Sequence, residues 1–133
     1  MNGNHPAATR KITVLVIDSD PAVRLAIKNV LEAAGLTVIA LGDAAAALER
    51  LAPLRADLVI CDIEASAPDG RAAISVIAEL DSSAQILTLV PKHRAPPGLL
   101  SSTGNTLEKP FTPSELLTEV RRALAAPPRS AQP

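Results

Sequence analysis

The chain has 133 residues, 47% of them hydrophobic, a formal net charge of −1 and almost no aromatics: one Phe, no Trp and no Tyr. That length suits one compact domain, and the apolar fraction is too high for a disordered chain. Without a basic field or rings for base stacking, direct binding to DNA or RNA is not expected.

The first ten residues, "MNGNHPAATR", are aperiodic and have no apolar h-region, so they read as a disordered tail rather than a signal peptide. "ITVLVI" (12–17) is an unbroken, β-branched run, the pattern of a strand buried on both faces. "PAVRLAIKNVLEAAG" (21–35) follows as a helix, with Asp20 as its N-cap, Pro21 in its first turn and Gly35 at its exit. "TVIAL" (37–41) reads as a second strand, and "DAAAALERL" (43–51) as a short helix capped by Asp43. "DLVIC" (57–61) is a third strand that runs into Asp62. Its Cys61 is the only cysteine. It reads as a small buried hydrophobe, excludes a disulfide within the chain, and fits a reducing compartment. No apolar run is long enough to span a bilayer, so a cytoplasmic protein is expected.

"GRAAISVIAELD" (70–81) has Ile74, Ile77 and Leu80 at helical spacing. "QILTLV" (85–90) is a fourth strand, and "NTLE" (105–108) is a weak fifth. Between them, "PKHRAPPGLLSSTG" (91–104) holds three prolines and a glycine ahead of the serines, so any helix there is short or irregular. "TPSELLTEVRRALA" (112–125) reads as the last helix, opened by a Thr112/Glu115 capping box with Pro113 in its first turn. "PPRSAQP" (127–133) reads as a second disordered tail, which leaves one domain over 11–126.

Strands alternating with helices predict a doubly wound α/β fold, a parallel sheet covered on both faces. In such sheets ligands sit beyond the carboxyl ends of the strands. Asp18 ends the first strand, Asp62 the third, and Lys109 follows the fifth. With strand order 2-1-3-4-5 all three reach one crevice. Two carboxylates there attract a hard divalent cation such as Mg²⁺, a lysine pairs with a phosphoryl group, and a carboxylate is itself a possible nucleophile.

With these pieces in order, the chain resembles the receiver domain of bacterial two-component response regulators, a flavodoxin-like fold. The matching stretches are "VLVIDSDPAVR" (14–24), "DLVICDIEASAPDG" (57–70) and "EKPFTPSELLTEVRRAL" (108–124). The resemblance implies that Asp62 is the phospho-acceptor and that Lys109, before a cis Pro110, contacts the phosphoryl group. It implies that Asp18, Asp62 and the backbone carbonyl of Glu64 hold Mg²⁺, with the Glu64 side chain as a further possible donor. It also implies a histidine kinase or phosphotransfer protein as donor, with no output domain in the chain, so that signalling passes through contact with a further, unidentified protein. A homodimer is left open.

The departures lie in the same places. The second acid of the metal pair is Ser19, which predicts weak Mg²⁺ binding. Asp20 does not replace it, because it is better explained as the helix cap. The hydroxylated switch residue is Val90, followed by Pro91, and the aromatic switch residue is Thr106. Pro68 is shifted within the loop after the acceptor, with Ser66 at the usual proline position. These losses favour an alternative, a pseudo-receiver that binds partners without phosphorylation. A more remote alternative rests on "DSDPA" (18–22), which resembles the nucleophile motif of haloacid-dehalogenase-type phosphohydrolases, broken at Ala22 and without an acidic pair at a strand end after Lys109. In either of the first two readings the chain is not an enzyme. His5, His93 and the Arg121–Arg122 pair have ordinary explanations as tail, loop and solvated helix face.

Overall fold

The computed structural model describes residues 11–81, 83–92 and 105–127. Its strands are β1 (Thr13–Ile17), β2 (Thr37–Leu41), β3 (Leu58–Asp62), β4 (Gln85–Pro91) and β5 (Asn105–Lys109). They form one sheet in the order β2-β1-β3-β4-β5, parallel throughout. The helices are α1 (Pro21–Ala33), α2 (Ala44–Leu54), α3 (Ala73–Leu80) and α4 (Pro113–Ala125).

Alternation along each strand divides the core in two. Val14, Val16, Leu58, Ile60, Leu87 and Leu89 face α1 and α4, packing on Ile27, Leu31, Leu116 and Val120. Leu15, Ile17, Val59, Cys61 and Ile86 face the other way, onto Ala47 and Leu51 of α2 and Ile74 and Ile77 of α3. With no Trp or Tyr available, aliphatic side chains fill both halves. Truncating one of the fully buried ones, Ile60 for example, to Ala costs about 2–5 kcal/mol.

The helix starts follow local rules. Asp20 accepts the Ala22 N–H and Asp43 the Ala45 N–H, each at 2.9 Å. Thr112 and Glu115 form the reciprocal capping box expected of α4. Gly35, just after α1, has φ +91°, a conformation that glycine adopts without a Cβ clash.

Three local expectations are corrected. α2 does not stop at Leu51 but runs to Leu54 with Pro53 inside it. A proline this near the end removes a single N–H, Leu51 and Leu54 both pack on the core, and Arg55 in the left-handed region (φ 53°) makes the stop. α3 begins at Ala73 rather than 70, because the preceding backbone is committed to the loop. There Gly70 (φ +89°) donates to the Ala67 carbonyl, Ala67 donates to that of Arg71, and Ala73 donates to that of Ala65. Finally Leu80, expected on the core face with Ile74 and Ile77, is 63% exposed, since α3 has by then reached the rim of the sheet. The expectations of a short or irregular helix within 91–104 and of disordered tails concern 93–104, 1–10 and 128–133, which lie outside the described residues.

Candidate functional site

Strand register brings the expected residues to one edge. β1 ends at Ile17, opposite Cys61, so the next residues, Asp18 and Asp62, leave the sheet side by side. Lys109, the last residue of β5, is in register with Pro91 at the end of β4. From there its Nζ reaches across to Asp18 Oδ2 at 2.6 Å and Asp62 Oδ2 at 3.3 Å. Both aspartates are buried (1% and 7% exposed), and the Lys109–Pro110 peptide bond is cis.

The remaining carboxylate oxygens are held by the backbone. Asp18 Oδ1 accepts the Asp20 N–H at 2.9 Å, and Asp62 Oδ1 accepts the Glu64 N–H at 3.1 Å. Asp18 is fixed through its main chain as well. Its N–H donates to the Leu41 carbonyl of β2, and its carbonyl accepts from Arg24 Nη1 at 2.7 Å. Burial works against the charge of Lys109, but the hydrogen bond it donates to Asp18 and the fields of Asp18 and Asp62 outweigh it, holding the ammonium above its ordinary range. Burial, with the same two carboxylates adding to it, pushes the Cys61 thiol up to about 12. Cys61 is therefore an unreactive core side chain at neutral pH.

Beside the ion pair lies a cleft of about 410 Å³ lined by Ser19, Gly42, Asp43, Asp62, Glu64 and Ser66, among others. Ser19 and Glu64 are both exposed on it. Among the described residues no three His, Cys, Asp or Glu side chains converge as metal ligands. The oxygen donors at the site are the two buried carboxylates, with the Ser19 hydroxyl and the Glu64 carboxylate on the adjoining cleft. All are hard oxygen ligands of the kind Mg²⁺ takes, with one negative charge fewer than a second acid at Ser19 would give.

The expected switch positions sit on β4 and β5. Val90 is buried and in register with Glu108, and Thr106 is half-buried opposite Thr88. The Val90 side chain has no polar group, and Thr106 precedes Lys109 by three residues along β5. The phosphohydrolase alternative is not supported. Asp20 is spent as the cap of α1, and after Lys109 Glu115 belongs to a capping box while Glu119 pairs with Arg122 at 2.8 Å.

Arg24 is the contact that sequence patterns do not reveal. An arginine on the first turns of an amphipathic helix reads as solvated, yet this one folds back onto the strand end. A larger groove, about 830 Å³, lies at the opposite end of the sheet. Its acids are structural, with Asp57 accepting the Thr13 N–H and Asp81 those of Ser83 and Ala84.

Comparison with known proteins points the same way as the geometry. A family model described as the response regulator receiver domain matches residues 14–121. The DNA-binding response regulator MtrA of Mycolicibacterium smegmatis is 32% identical over 119 residues, 87% of this chain and 52% of MtrA. The C4-dicarboxylate transport transcriptional regulatory protein DctD of Pseudomonas aeruginosa is 32% identical over 84% of the chain but 25% of its own length. The chain thus spans about half of MtrA and a quarter of DctD. Among solved structures, the signal receiver domain of an HD domain-containing protein from Pseudomonas fluorescens superposes with a TM-score of 0.74 at 26% identity, covering 86% of this chain and 95% of that one. The chemotaxis protein CheY4 of Vibrio cholerae, at 23% identity, shares the fold with a TM-score of 0.74 over 86% of this chain and 99% of its own.

Proposed function

The chain belongs to the response regulator receiver domain family, and we propose that it accepts a phosphoryl group on Asp62 from a histidine kinase or phosphotransfer protein. Phosphoryl acceptance is the general function of that family. The observation that carries the proposal for this chain is the Lys109 ammonium lying between Asp18 (2.6 Å) and Asp62 (3.3 Å) at the carboxyl ends of three strands.

In the proposed reaction a carboxylate oxygen of Asp62 attacks the phosphorus of a phosphohistidine. The new O–P bond forms as the P–N bond breaks, and the imidazole leaves with the electron pair. The product is an acyl phosphate. The Glu64 N–H holds one Asp62 oxygen, so the carboxylate is oriented before attack. Lys109 is placed to transfer its contact from Asp62 to an incoming phosphoryl oxygen, which keeps a positive charge beside the charge that develops. Mg²⁺, when bound, supplies further neutralisation of the phosphoryl oxygens. Asp18, Asp62 and the Glu64 carbonyl would hold it, with Ser19 in place of an acid and the Glu64 carboxylate as a further donor. Output in this proposal passes through protein contacts in the cytoplasm. No helix among the described residues is long and apolar enough to cross a membrane.

A second reading, the phosphorylation-independent binding module, is favoured by one observation. The Val90 side chain has no hydrogen-bond donor and Thr106 has no aromatic ring. Incubation of the chain with a small phosphodonor and Mg²⁺ followed by intact-mass measurement separates the two. A stoichiometric phosphate adduct, mapped to Asp62 after borohydride trapping, is the expected result. No adduct supports the binding module, and a label on Asp18 or Asp20 overturns the assignment of Asp62.

A further inference from the structure

Arg24 stands apart from the other cation of α1, Lys28. Lys28 is paired with Glu32 on the exposed surface, whereas Arg24 is half-buried and makes no ion pair among the described residues. Its Nη1 instead donates to the backbone carbonyl of Asp18 at 2.7 Å. To get there the guanidinium crosses over Gly42, in the turn between β2 and α2. A Cβ at position 42 would lie 2.5 Å from Arg24 Nη1 and 3.1 Å from its Cζ. Gly42 is not explained by backbone strain, since it is not among the residues with positive φ. The space that its missing side chain leaves is filled by Arg24.

The consequence falls on Asp18. Its N–H is tied to Leu41, the residue before Gly42, and its carbonyl is tied to Arg24. One oxygen of its side chain is held by the Asp20 N–H and the other by Lys109. Removing the Arg24 bond leaves Asp18 anchored through its N–H alone, with its carbonyl released. The Asp18 carboxylate, still bonded to the Asp20 N–H and Lys109, then hangs from a backbone that has lost one of its two main-chain anchors.

We propose that Arg24 is a positioning residue for the phosphoryl-transfer site, acting through Asp18 on Lys109, and that Gly42 is glycine in order to admit its guanidinium. The proposal rests on the reading of Asp62, Asp18 and Lys109 as a phosphoryl-transfer site. It adds a device that spans the β1–α1 and β2–α2 turns, and it predicts that two residues eighteen apart in sequence act as one unit.

The test is a double-mutant cycle of Arg24→Ala and Gly42→Ala on the full chain, read in two ways. In the metal-free protein, amide shifts and hydrogen-exchange protection report on Asp18 and Asp20, whose N–H groups bond Leu41 and the Asp18 carboxylate. With Mg²⁺ and a small phosphodonor, the rate of adduct formation is measured. Each single variant is expected to lose protection at Asp18 and Asp20 selectively, not across the sheet, and to form adduct roughly tenfold more slowly, the scale of a small misplacement of a reacting group. The double variant is expected to be no worse than Arg24→Ala alone, because Gly42→Ala has nothing left to displace. If Arg24→Ala does not fold, Arg24→Met, which keeps most of the aliphatic stem and removes the guanidinium, takes its place. Unchanged Asp18 and Asp20 amides in the Arg24 variant, or effects of the two substitutions that simply add, overturn the proposal. A wild-type chain that forms no adduct counts against the phosphoryl-transfer reading, while the amide measurements still decide the role of Arg24.

Discussion

Replacing Lys109 by Met keeps most of the aliphatic stem and removes the ammonium, which leaves Asp18 and Asp62 facing each other without their shared cation. At an effective dielectric constant of about 20, Coulomb's law gives roughly 6 and 5 kcal/mol for contacts at 2.6 and 3.3 Å, before desolvation is counted. Desolvation removes much of that. Breaking a buried pair typically costs about 3–5 kcal/mol, and because the Lys109 side chain is 24% exposed, water screens part of it, so about 2–4 kcal/mol is expected here. For a domain of this size that corresponds to a fall in melting temperature of roughly 8–16 °C. The assay is thermal unfolding of Lys109→Met and wild type, with and without millimolar Mg²⁺. Mg²⁺ should recover more stability in the variant than in wild type, because a dication replaces the lost charge between the same oxygens. A variant that melts with wild type in the absence of Mg²⁺ would show that the ammonium is not what neutralises the two aspartates.

Three further outcomes are expected. Ser19→Asp adds a unit charge beside the cleft and should tighten Mg²⁺ binding about tenfold or more, measured by titration; no gain would mean that residue 19 is not near the ion or that another group already fills its place. The pH dependence of stability has a set sign at the alkaline end. Since the Lys109 pKa is raised above 10.5, its contribution is fully present below pH 10.5 and is lost as pH rises through the higher folded value, so Lys109→Met should remove that alkaline loss from the unfolding profile. Beryllofluoride with Mg²⁺ should shift amides around Asp18, Asp62 and Lys109 and in the first turn of α1, with little change at Val90 and Thr106; large changes running through β4 and β5 would refute the expectation of a missing relay there.

Much of this was legible in the sequence, for physical reasons that also explain the misses. Strands buried on both faces leave unbroken β-branched runs, and "ITVLVI" and "DLVIC" display them. Capping is a rule of three or four residues, so Asp20, Asp43 and the Thr112/Glu115 box could be read directly. Asp18, Asp62 and Lys109 were legible as a group because a parallel sheet gathers its strand ends on one edge. What failed was information that periodicity does not carry. Helical spacing placed Leu80 with Ile74 and Ile77 but does not say where the sheet beneath α3 ends. Similarly, the start of α3 is set by loop hydrogen bonds between residues 65 and 73, which compete with helix formation over 70–72. The Arg24–Gly42 contact depends on how two turns meet and has no signature in either segment alone.

The same geometry says where a phosphoryl group on Asp62 would transmit its effect. A ligand shifts a conformational equilibrium only through contacts that differ between states. At the two expected switch positions there is no such contact to gain, because the buried Val90 side chain has no donor and Thr106 has no ring to exchange between exposed and buried positions. On the β1 side there is one. Lys109 is bonded to Asp18 at 2.6 Å, and a phosphoryl oxygen on Asp62 would compete for the same ammonium. Whatever Lys109 gives to the phosphoryl group it withdraws from Asp18, whose carboxylate also takes the Asp20 N–H and whose carbonyl takes Arg24, both at the start of α1. Among the described residues, the polar connections of Asp18 lead into the first turns of α1, and that of Asp62 leads to the Glu64 N–H, so a partner that distinguishes the phosphorylated chain is expected to read the start of α1 and the loop after β3.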